Sequence, residues 1–245
     1  MPDWSTVPPA GTRVLVTGAA GGLGRVLAGA LAEVGAEVMG LDLPGTDATV
    51  TADLTDDDRA RRAVADAVAR LGGLDAVVGA AGVVDTIHRA ETFPLKEFRG
   101  DIEANLVAQF TVAQAAFPAL RAGDRPSIVF FSSVAAQDGL PGQVGYAAAK
   151  AGVLGLTRSL AAEWAGAGIR VNAVVPGLVA TPKVLALPSA VRDRPLASVP
   201  MRRVAALGEL VGSVLYLLSP AAGYLTGQAL RLDGGSGLAQ AGLHH

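Results

Sequence analysis

The stretch RVLVTGAAGGLG, residues 13–24, decides the fold of this chain. It begins with apolar and β-branched residues, which are typical of a buried strand, and it ends in glycines. Such glycines permit a tight turn from strand to helix and let the backbone approach a pyrophosphate at the positive end of the helix dipole. Gly18, Gly22 and Gly24 are spaced G-x-x-x-G-x-G, which differs from the G-x-G-x-x-G dinucleotide fingerprint. The alternative is a turn that only packs helix on strand.

The alternation of strand and helix continues along the chain. Short apolar runs bounded by glycine, proline or polar residues predict strands at 13–17, 36–42, 74–80, 127–133 and 169–175. Longer alanine-rich stretches predict helices near 23–34, 55–71, 95–121 and 143–166. This order predicts a single α/β domain with a doubly wound parallel sheet, covered by helices on both faces. The segment 181–200 is predicted as an irregular excursion, which favours a short substrate lid.

Composition excludes several classes of protein. The 245 residues are 51% hydrophobic, enough for one large buried core, and the net charge of −2 without a long basic run argues against nucleic acid as a partner. There is no cysteine, and His88 is the only internal histidine, so we expect no metal site. No apolar run reaches the ~18 residues of a membrane span. The opening MPDWSTVPPAG lacks the order of a signal peptide, so we expect a soluble cytoplasmic protein.

Asp42 bears on the choice of dinucleotide. It ends the second predicted strand, a little under 20 residues after Gly24, where a carboxylate can hold the adenosine ribose hydroxyls. The same carboxylate repels the 2′-phosphate of NADP, and neither Leu43 nor the glycine loop adds a basic side chain. These residues favour NAD, with NADP as the weaker candidate. The alternative is a turn residue placed before Pro44.

Tyr146 and Lys150, in the sequence YAAAK, lie four positions apart and so project from one face of a predicted helix. A nearby ammonium favours the phenolate and lowers the tyrosine pKa from about 10, toward a pH where the phenol exchanges a proton. Ser133 ends the preceding predicted strand, so its hydroxyl can point into the crevice where ligands bind in such sheets. The alternatives are a solvated helix surface for the pair and a loop-capping role for Ser133.

These motifs together resemble the short-chain dehydrogenase/reductase family, from residue 12 to about 236. The resemblance rests on TGAAGGLG (17–24), Asp42, AAG (80–82), Asn105 in ANLVAQF, the Ser133–Tyr146–Lys150 set and PGLVATP (176–182). Ser133 precedes Tyr146 by thirteen residues, the spacing usual in that family, whereas Ser132 is one residue out of register. One departure is Gly79, where the family usually has an asparagine that supports the central sheet.

The resemblance implies a role for each catalytic position. Tyr146 is expected to be the acid/base toward the substrate oxygen, with Lys150 lowering its pKa and bonding the nicotinamide ribose. Ser133 is expected to donate a hydrogen bond to the same oxygen. Asn105 resembles the asparagine that holds, through its backbone, a water linking Lys150 to solvent. The alternative for Asn105 is a polar residue that bends its helix.

The resemblance also implies a set of cofactor contacts. Asp53 and Leu54 are expected to bracket the adenine, and the loop from Pro176 to Thr181 to hold the nicotinamide. The full expected cofactor set is Gly18, Gly22, Leu23, Gly24, Asp42, Asp53, Leu54, Ala81, Gly82, Tyr146, Lys150, Pro176, Gly177, Val179 and Thr181.

The activity expected from this resemblance is an NAD-dependent interconversion of a secondary alcohol and a ketone. Within the family, the ending of the chain is most similar to the branch that includes 3-oxoacyl-[acyl-carrier-protein] reductases, so an NADPH-dependent reductase of that type is the alternative. A non-catalytic dinucleotide-sensing protein is the alternative from another class. The resemblance further implies a homotetramer or homodimer. The apolar lid residues favour an apolar or alicyclic substrate, although core packing needs the same residue types: Leu185, Leu187, Val191, Leu196 and Met201.

Overall fold

A computed structural model describes residues 4–238 of the chain. Its strands all pair in parallel, in the order β3-β2-β1-β4-β5-β6-β7. They are β1 (Arg13–Thr17), β2 (Glu37–Asp42), β3 (Val50–Thr51), β4 (Ala76–Gly79), β5 (Ser127–Phe131), β6 (Arg170–Pro176) and β7 (Ala229–Leu232). The strand order reverses between β1 and β4, and a crevice forms at the carboxyl ends of strands on either side of such a point.

Helices cover both faces of the sheet. Helices α2, α4 and α6 pack on one face, and α1 and α9 pack on the other. The α-helices are α1 (Gly22–Glu33), α2 (Asp57–Leu71), α3 (Leu95–Ile102), α4 (Ala108–Arg121), α5 (Ala135–Asp138), α6 (Val144–Trp164), α7 (Pro182–Leu185), α8 (Ser189–Leu196) and α9 (Leu207–Leu218). Single 3₁₀ turns lie at Ala90–Thr92, Ala165–Ala167 and Pro220–Ala222, and a π-helical turn at Glu103–Val107 joins α3 to α4. No helix within residues 4–238 is both long and apolar enough to cross a membrane.

Helix α2 illustrates how the sequence sets its own boundaries. The Asp56 carboxylate accepts a hydrogen bond from the Arg59 backbone N–H at 3.0 Å and so caps the first turn. Asp57 and Asp58 add negative charge at the positive end of the helix dipole. Gly72 then ends the helix in a left-handed conformation, with φ of 66°.

The doubly wound parallel sheet is confirmed, and all five predicted strands are present. The elements that were not predicted include the two-residue strand β3, the partly exposed strand β7 and the helices α5, α7, α8 and α9. The prediction of one helix over 95–121 was wrong at its centre, because the π-helical turn interrupts it. The segment 181–200 is helical rather than irregular, since the Thr181 hydroxyl caps α7 and Pro182 occupies its first position.

Candidate active site

The glycine loop owes its shape to contacts that exclude side chains. Gly18 has a φ of 69°, and a Cβ added to it would lie 2.8 Å from the Cα of Ala81. A Cβ on Gly24 would lie 2.0 Å from the carbonyl oxygen of Gly18, and one on Gly22 would lie 2.9 Å from Cδ of Pro182. Because these neighbours are backbone or a rigid ring, only glycine fits at the three positions. The loop is therefore packed between the segment after β4 and the start of α7.

The N-terminus of α1 faces this loop without a cap of its own. Within the part of the chain that the structure describes, no side chain caps Gly21, and the first turn has no acidic residue. The first N–H groups of a helix need an acceptor, and the dipole favours a negative one. The glycine loop and this helix end thus fit a dinucleotide pyrophosphate, which needs backbone approach and positive potential.

Asp42 lies at the end of β2, against the glycine loop. Its carboxylate accepts hydrogen bonds from the backbone N–H groups of Ala20 and Leu43, both at 2.7 Å. The sequence analysis found no basic neighbour for Asp42, but the fold brings Arg25 to the same edge. The Arg25 guanidinium donates to the Ala20 carbonyl at 3.3 Å and pairs with Asp47 at 2.8 Å. Arg25 was not predicted as a neighbour of Asp42, because the two residues are distant in sequence and only the packing of α1 brings them together.

Asp53 and Leu54 follow β3 at the adjacent edge. The Asp53 carboxylate accepts from the backbone N–H of Thr55 at 3.0 Å and from its hydroxyl at 2.7 Å, and these bonds lower the Asp53 pKa. Leu54 is buried. The carboxylate is thus held in one orientation and kept ionised.

Asn105 ties the segment after β4 to the π-helical turn. Its side chain is fully buried and makes two bonds with the Val83 backbone, accepting from the N–H at 3.1 Å and donating to the carbonyl at 3.0 Å. A Cβ on Gly82 would lie 2.7 Å from the Asn105 Oδ1 and 3.4 Å from the Lys150 Nζ. Gly82, Asn105 and Lys150 therefore meet at one point.

Ser133 and Tyr146 meet at the mouth of the crevice. The Ser133 side chain hydrogen-bonds the Tyr146 phenol, and its oxygen accepts from the Ala135 backbone N–H at 3.1 Å. The neighbouring Ser132 is buried and donates to the Lys150 carbonyl at 2.8 Å. Only Ser133 presents its hydroxyl to the phenol, as the thirteen-residue spacing predicts.

Lys150 lies one helical turn after Tyr146 and is almost completely buried. Its Nζ donates to the Phe131 carbonyl at 2.9 Å and lies 5.6 Å from the centroid of the Tyr146 ring. Burial disfavours the charged amine and lowers the Lys150 pKa from 10.5 to about 8.

The pKa of Tyr146 departs from the sequence-based expectation. We expected Lys150 to lower it, but burial raises it, and the Ser133 hydrogen bond only partly offsets this. The physical reason is that desolvation disfavours the phenolate, while the Lys150 ammonium is directed at the Phe131 carbonyl. In this structure the Tyr146 phenol is therefore protonated at neutral pH.

The loop after β6 closes the crevice opposite Tyr146. Pro176 ends β6, and the Gly177 N–H donates to the Leu232 carbonyl at 2.9 Å. Val179 is buried and pairs with Ala205 in a single parallel bridge. The Thr181 hydroxyl accepts from the Val184 N–H at 3.3 Å, which places the start of α7 over the glycine loop.

Gln109 accounts for the missing asparagine at position 79. A Cβ on Gly79 would lie 2.3 Å from the Gln109 Oε1 and 3.0 Å from a ring carbon of Phe130. The Gln109 side chain is buried, and its amide donates to the Ala81 carbonyl at 2.6 Å. An amide on α4 thus occupies the space beside β4. No sequence pattern indicates this exchange, because Gln109 looks like an ordinary helical residue.

An ion pair crosses the opening of the crevice. Lys183 on α7 pairs with Asp85 in the loop after β4, and both side chains are largely exposed. Within residues 4–238, no group of three or more His, Asp or Glu side chains is placed to hold a metal ion.

The polar groups of the crevice are a protonated phenol, a hydroxyl, an amine and an uncapped helix end. Together they can support proton transfer beside a dinucleotide, which is the chemistry of a dinucleotide-dependent oxidoreductase.

Comparison with known proteins identifies the family. A family model described as enoyl-(acyl carrier protein) reductase matches residues 18–237. The chain is 36% identical to a 3-oxoacyl-[acyl-carrier-protein] reductase of Thermotoga maritima, covering 90% of this chain and 96% of that one. It is 33% identical to an acetoacetyl-CoA reductase of an Acinetobacter species, with the same coverage. The ligand-free aldohexose dehydrogenase of Thermoplasma acidophilum superposes with a TM-score of 0.87 at 28% identity, over 96% of this chain and 98% of that one.

The chain belongs to the short-chain dehydrogenase/reductase family, in the branch that includes 3-oxoacyl-[acyl-carrier-protein] reductases. It is an NAD(P)-dependent enzyme that acts on CH–OH groups, with the family's Rossmann-type sheet.

Proposed function

We propose that this enzyme interconverts a secondary alcohol and a ketone with NAD as its preferred cofactor. The observation that carries the proposal is the meeting of Ser133, Tyr146 and Lys150 beside an uncapped helix end. When bound, the nicotinamide supplies or accepts the hydride. The side chains named below orient the reactants and move the proton.

Tyr146 is the proposed acid/base. Its raised pKa keeps the phenol protonated at neutral pH, so it is ready to donate to the oxygen of a ketone as hydride reaches the carbon. Ser133 already contacts the phenol, and its hydroxyl can donate to the same substrate oxygen as negative charge develops there. In alcohol oxidation the proton returns along the same path.

Lys150 and Asn105 are the proposed support for this proton transfer. With a pKa of about 8, the Lys150 amine exchanges protons near neutral pH, and its Nζ lies 5.6 Å from the centroid of the Tyr146 ring. In this proposal Lys150 also bonds the nicotinamide ribose. The π-helical turn that contains Asn105 alters the backbone hydrogen bonding of its helix beside Gly82, which supports a relay through its backbone.

The proposed cofactor site extends from the glycine loop to α7. Gly18, Gly22, Leu23 and Gly24 hold the pyrophosphate, and Asp42 holds the adenosine ribose. The carboxylate of Asp42 disfavours a 2′-phosphate, which supports NAD. Asp53 and Leu54, together with Ala81 and Gly82, would hold the adenine, and Pro176, Gly177, Val179 and Thr181 would hold the nicotinamide.

The proposed substrate is apolar or alicyclic. Large apolar side chains are exposed on both walls of the crevice, which is a pattern typical of binding grooves. On the wall formed by the loop after β4 and the start of α6 these are Val83, Val84, Ile87, Leu140 and Val144. On the 181–200 side, which we propose acts as a lid, they are Leu185, Leu187, Val191 and Met201.

An NADPH-dependent 3-oxoacyl-[acyl-carrier-protein] reductase is the second candidate. Two relatives support it, because the proteins at 36% and 33% identity are both named as reductases of acyl thioesters. It uses the same catalytic groups, so the cofactor and the substrate separate the two candidates.

We further propose a homo-oligomer formed through α4 and α6. Ala148 and Ala151 on α6 are exposed, and a Cβ on Gly155 would meet no described atom within 4 Å. Such a small-residue surface allows close approach of a second helix. Light scattering of the purified protein tests this, and a strictly monomeric enzyme would refute it.

Activity measurements test the main proposal. Reduced-nicotinamide absorbance is followed with a panel of secondary alcohols, ketones and acyl thioesters, each with NAD(H) and with NADP(H). We expect turnover of apolar alcohols with NAD, and turnover only of acyl thioesters with NADPH would select the second candidate. Tight NADH binding without turnover of any substrate would favour a sensing role.

A tyrosine variant tests the catalytic group. Tyr146→Phe should lower kcat at least ~100-fold while leaving the Kd for NADH nearly unchanged. Tyr224→Phe is the matched control, because Tyr224 is fully exposed. Substantial activity in Tyr146→Phe would remove Tyr146 from the acid/base role.

A further inference from the structure

Asp101 is a buried carboxyl group beside the catalytic helix that the mechanism above does not use. It lies in the last turn of α3 and is only 3% exposed. One carboxyl oxygen accepts from the Thr86 hydroxyl at 3.2 Å. The other oxygen has no hydrogen-bond partner among the described residues. A buried carboxyl oxygen left without a partner is costly, so its surroundings call for a functional reason.

The unpartnered oxygen is directed at the start of α6. It lies 2.5 Å from the point that a Cβ on Gly145 would occupy, so only glycine lets the two helices approach there. The Tyr146 backbone N–H also faces the carboxyl and lowers its pKa. Helix α6 has no side-chain cap at Gln143 and no acidic residue in its first turn, within the described chain. Asp101 therefore supplies from α3 the negative charge that the N-terminus of α6 lacks.

Asp101 also joins this helix end to the opposite wall of the crevice. Thr86, which donates to its carboxyl, lies in the loop that follows β4. The backbone carbonyl of Asp101 accepts a hydrogen bond from the Asn105 side chain at 3.1 Å. Asn105 in turn bonds both backbone groups of Val83. One residue thus contacts the helix of Tyr146 and, directly and through Asn105, the wall proposed to bind substrate.

We propose that Asp101 is a positioning residue: its ionised carboxyl holds the first turn of α6, and with it Tyr146, in register with the Thr86 wall, and protonation loosens both. The proposal rests on the proposed function for its effect on the reaction, but the hold on α6 exists without substrate. An ionised carboxyl attracts the N–H groups at the helix end more strongly than a protonated one does.

Several groups act on the pKa of the Asp101 carboxyl. Burial raises the Asp101 pKa, the nearby Glu97 raises it further, and the bond from Thr86 and the facing Tyr146 N–H oppose both. Glu97 itself bonds His88 at 2.8 Å. The ionisable side chains on the elements packed against Asp101 are Lys96, Glu97 and Arg99 on α3, Glu103 in the π-helical turn, Asp85, His88, Arg89 and Glu91 in the loop, and Tyr146, Lys150, Arg158 and Glu163 on α6.

The first test uses no substrate. Amide hydrogen exchange of residues 144–147 is measured from pH 5 to 8 in the wild type and in Asp101→Asn. We expect protection in the variant to fall about fivefold at pH 8, the effect typical of losing one charge at a helix N-terminus, and the difference to shrink as the pH falls. Equal protection at every pH would overturn the proposal, whatever the enzyme does to alcohols.

The second test follows the reaction. In the wild type, kcat should fall at acid pH as Asp101 takes up its proton, and this limb should disappear in Asp101→Asn. Thr86→Val removes a bond that lowers the Asp101 pKa, so it should move the limb to higher pH. Thr111→Val is the matched control and should leave the limb in place. Its hydroxyl donates the same kind of bond, at 2.8 Å, to Asp57 on α2. A limb unchanged in Asp101→Asn would reduce Asp101 to a structural role.

Failure of the two hypotheses can be told apart. An inactive wild type with normal exchange behaviour would refute the proposed function and leave the hold on α6 established. If Asp101→Asn fails to fold, Thr86→Val still decides the matter, because it leaves the carboxyl in place. An unmoved limb in Thr86→Val would then count against the proposal.

Discussion

The glycine loop and the 181–200 segment face each other across the crevice, and different physical constraints shape them. In the loop, backbone contacts decide which residues fit: a Cβ on Gly24 would lie 2.0 Å from the Gly18 carbonyl oxygen. In the 181–200 segment, side chains such as Leu185 and Val191 are more than half exposed. An exposed ion pair between Lys183 and Asp85 joins it to the other wall. The first region tolerates almost no change of residue type, whereas the second tolerates many.

This difference matches the two ligands that the enzyme must bind. A dinucleotide presents the same pyrophosphate to every member of the family, and backbone N–H groups at a helix end suffice to hold it. A substrate is distinguished by the shape and polarity of its surroundings, which exposed side chains provide. Changes in the loop should therefore abolish cofactor binding, and changes in the 181–200 segment, which we propose acts as a lid, should adjust substrate preference.

The largest expected effect is that of Gly24→Ala. Because the added methyl group meets a backbone oxygen that cannot rotate away, the loop must move. We expect the Kd for NADH, measured by fluorescence titration, to rise at least ~100-fold, about 2.8 kcal/mol. Gly29→Ala is the matched control on the same helix, since its Cβ meets no described atom within 4 Å. That variant should bind NADH normally and gain about 0.5–1 kcal/mol of stability.

The comparison would break if Gly24→Ala bound NADH like the wild type. The loop would then be as adaptable as the lid, and backbone packing could not explain its glycines. A loss of binding in both alanine variants would instead point to a general effect on α1.

The next effect concerns the sheet beneath both regions. Gln109→Val leaves the partly buried Ala81 carbonyl without its amide and should cost about 1 kcal/mol in the free energy of unfolding. Gly79→Asn alone should also destabilise, because its Cβ would lie 2.3 Å from the Gln109 Oε1. Together the changes exchange one amide for another, so the double variant should recover most of the loss.

Denaturant unfolding of the wild type, both single variants and the double variant measures this coupling. Additive losses would contradict the exchange of amides and leave Gln109 as an ordinary core residue. A recovery limited to stability, with NADH binding still impaired, would place part of the effect on the Ala81–Gly82 backbone.

The two regions also differ in how well the sequence predicted them. The glycine loop, Asp42 and the Ser133–Tyr146–Lys150 set were predicted because local rules govern them: a strand followed by glycines, a strand end and a helical spacing of four. The helices α7 and α8 were missed because α8 combines Pro195 with few apolar residues, so its pattern is not helical. The strand β3 was missed because two residues are too few to form a pattern.

The remaining misses were all contacts between distant segments. Arg25 reaches Asp47 and Ala20 only because α1 packs beside β2, and Gln109 reaches Ala81 only because α4 crosses β4. Asp101 looks like a surface residue of a helix, although the approach of α6 buries it. Lists of motifs cannot contain such pairs, since they depend on how elements pack.

A smaller effect is expected at the edge of the cofactor site. Asp42→Ala removes the charge that disfavours a 2′-phosphate, so the ratio of kcat/KM for NAD to that for NADP should fall about tenfold, about 1.4 kcal/mol. The variant should also bind NADH more weakly, because the Ala20 N–H loses its acceptor. Arg25→Ala is the control, because it tests whether the guanidinium at the same edge also affects the preference for NAD over NADP. An unchanged ratio in Asp42→Ala would leave Asp42 as a turn residue that caps the loop.

The smallest effect is expected from Lys183→Met, in the 181–200 segment. The pair with Asp85 is exposed on both sides, and such pairs contribute at most about 1 kcal/mol. The KM for an apolar alcohol should therefore change no more than about fivefold, and the Kd for NADH should not change. Asp85→Asn should reproduce the result. At about 1 M salt the KM values of wild type and variants should become equal, because screening weakens the ion pair in the wild type as well. A rise in the Kd for NADH as large as that of Gly24→Ala would mean that the 181–200 segment also holds the cofactor, through the contact of Pro182 with Gly22. The two sides of the crevice would then act as one site.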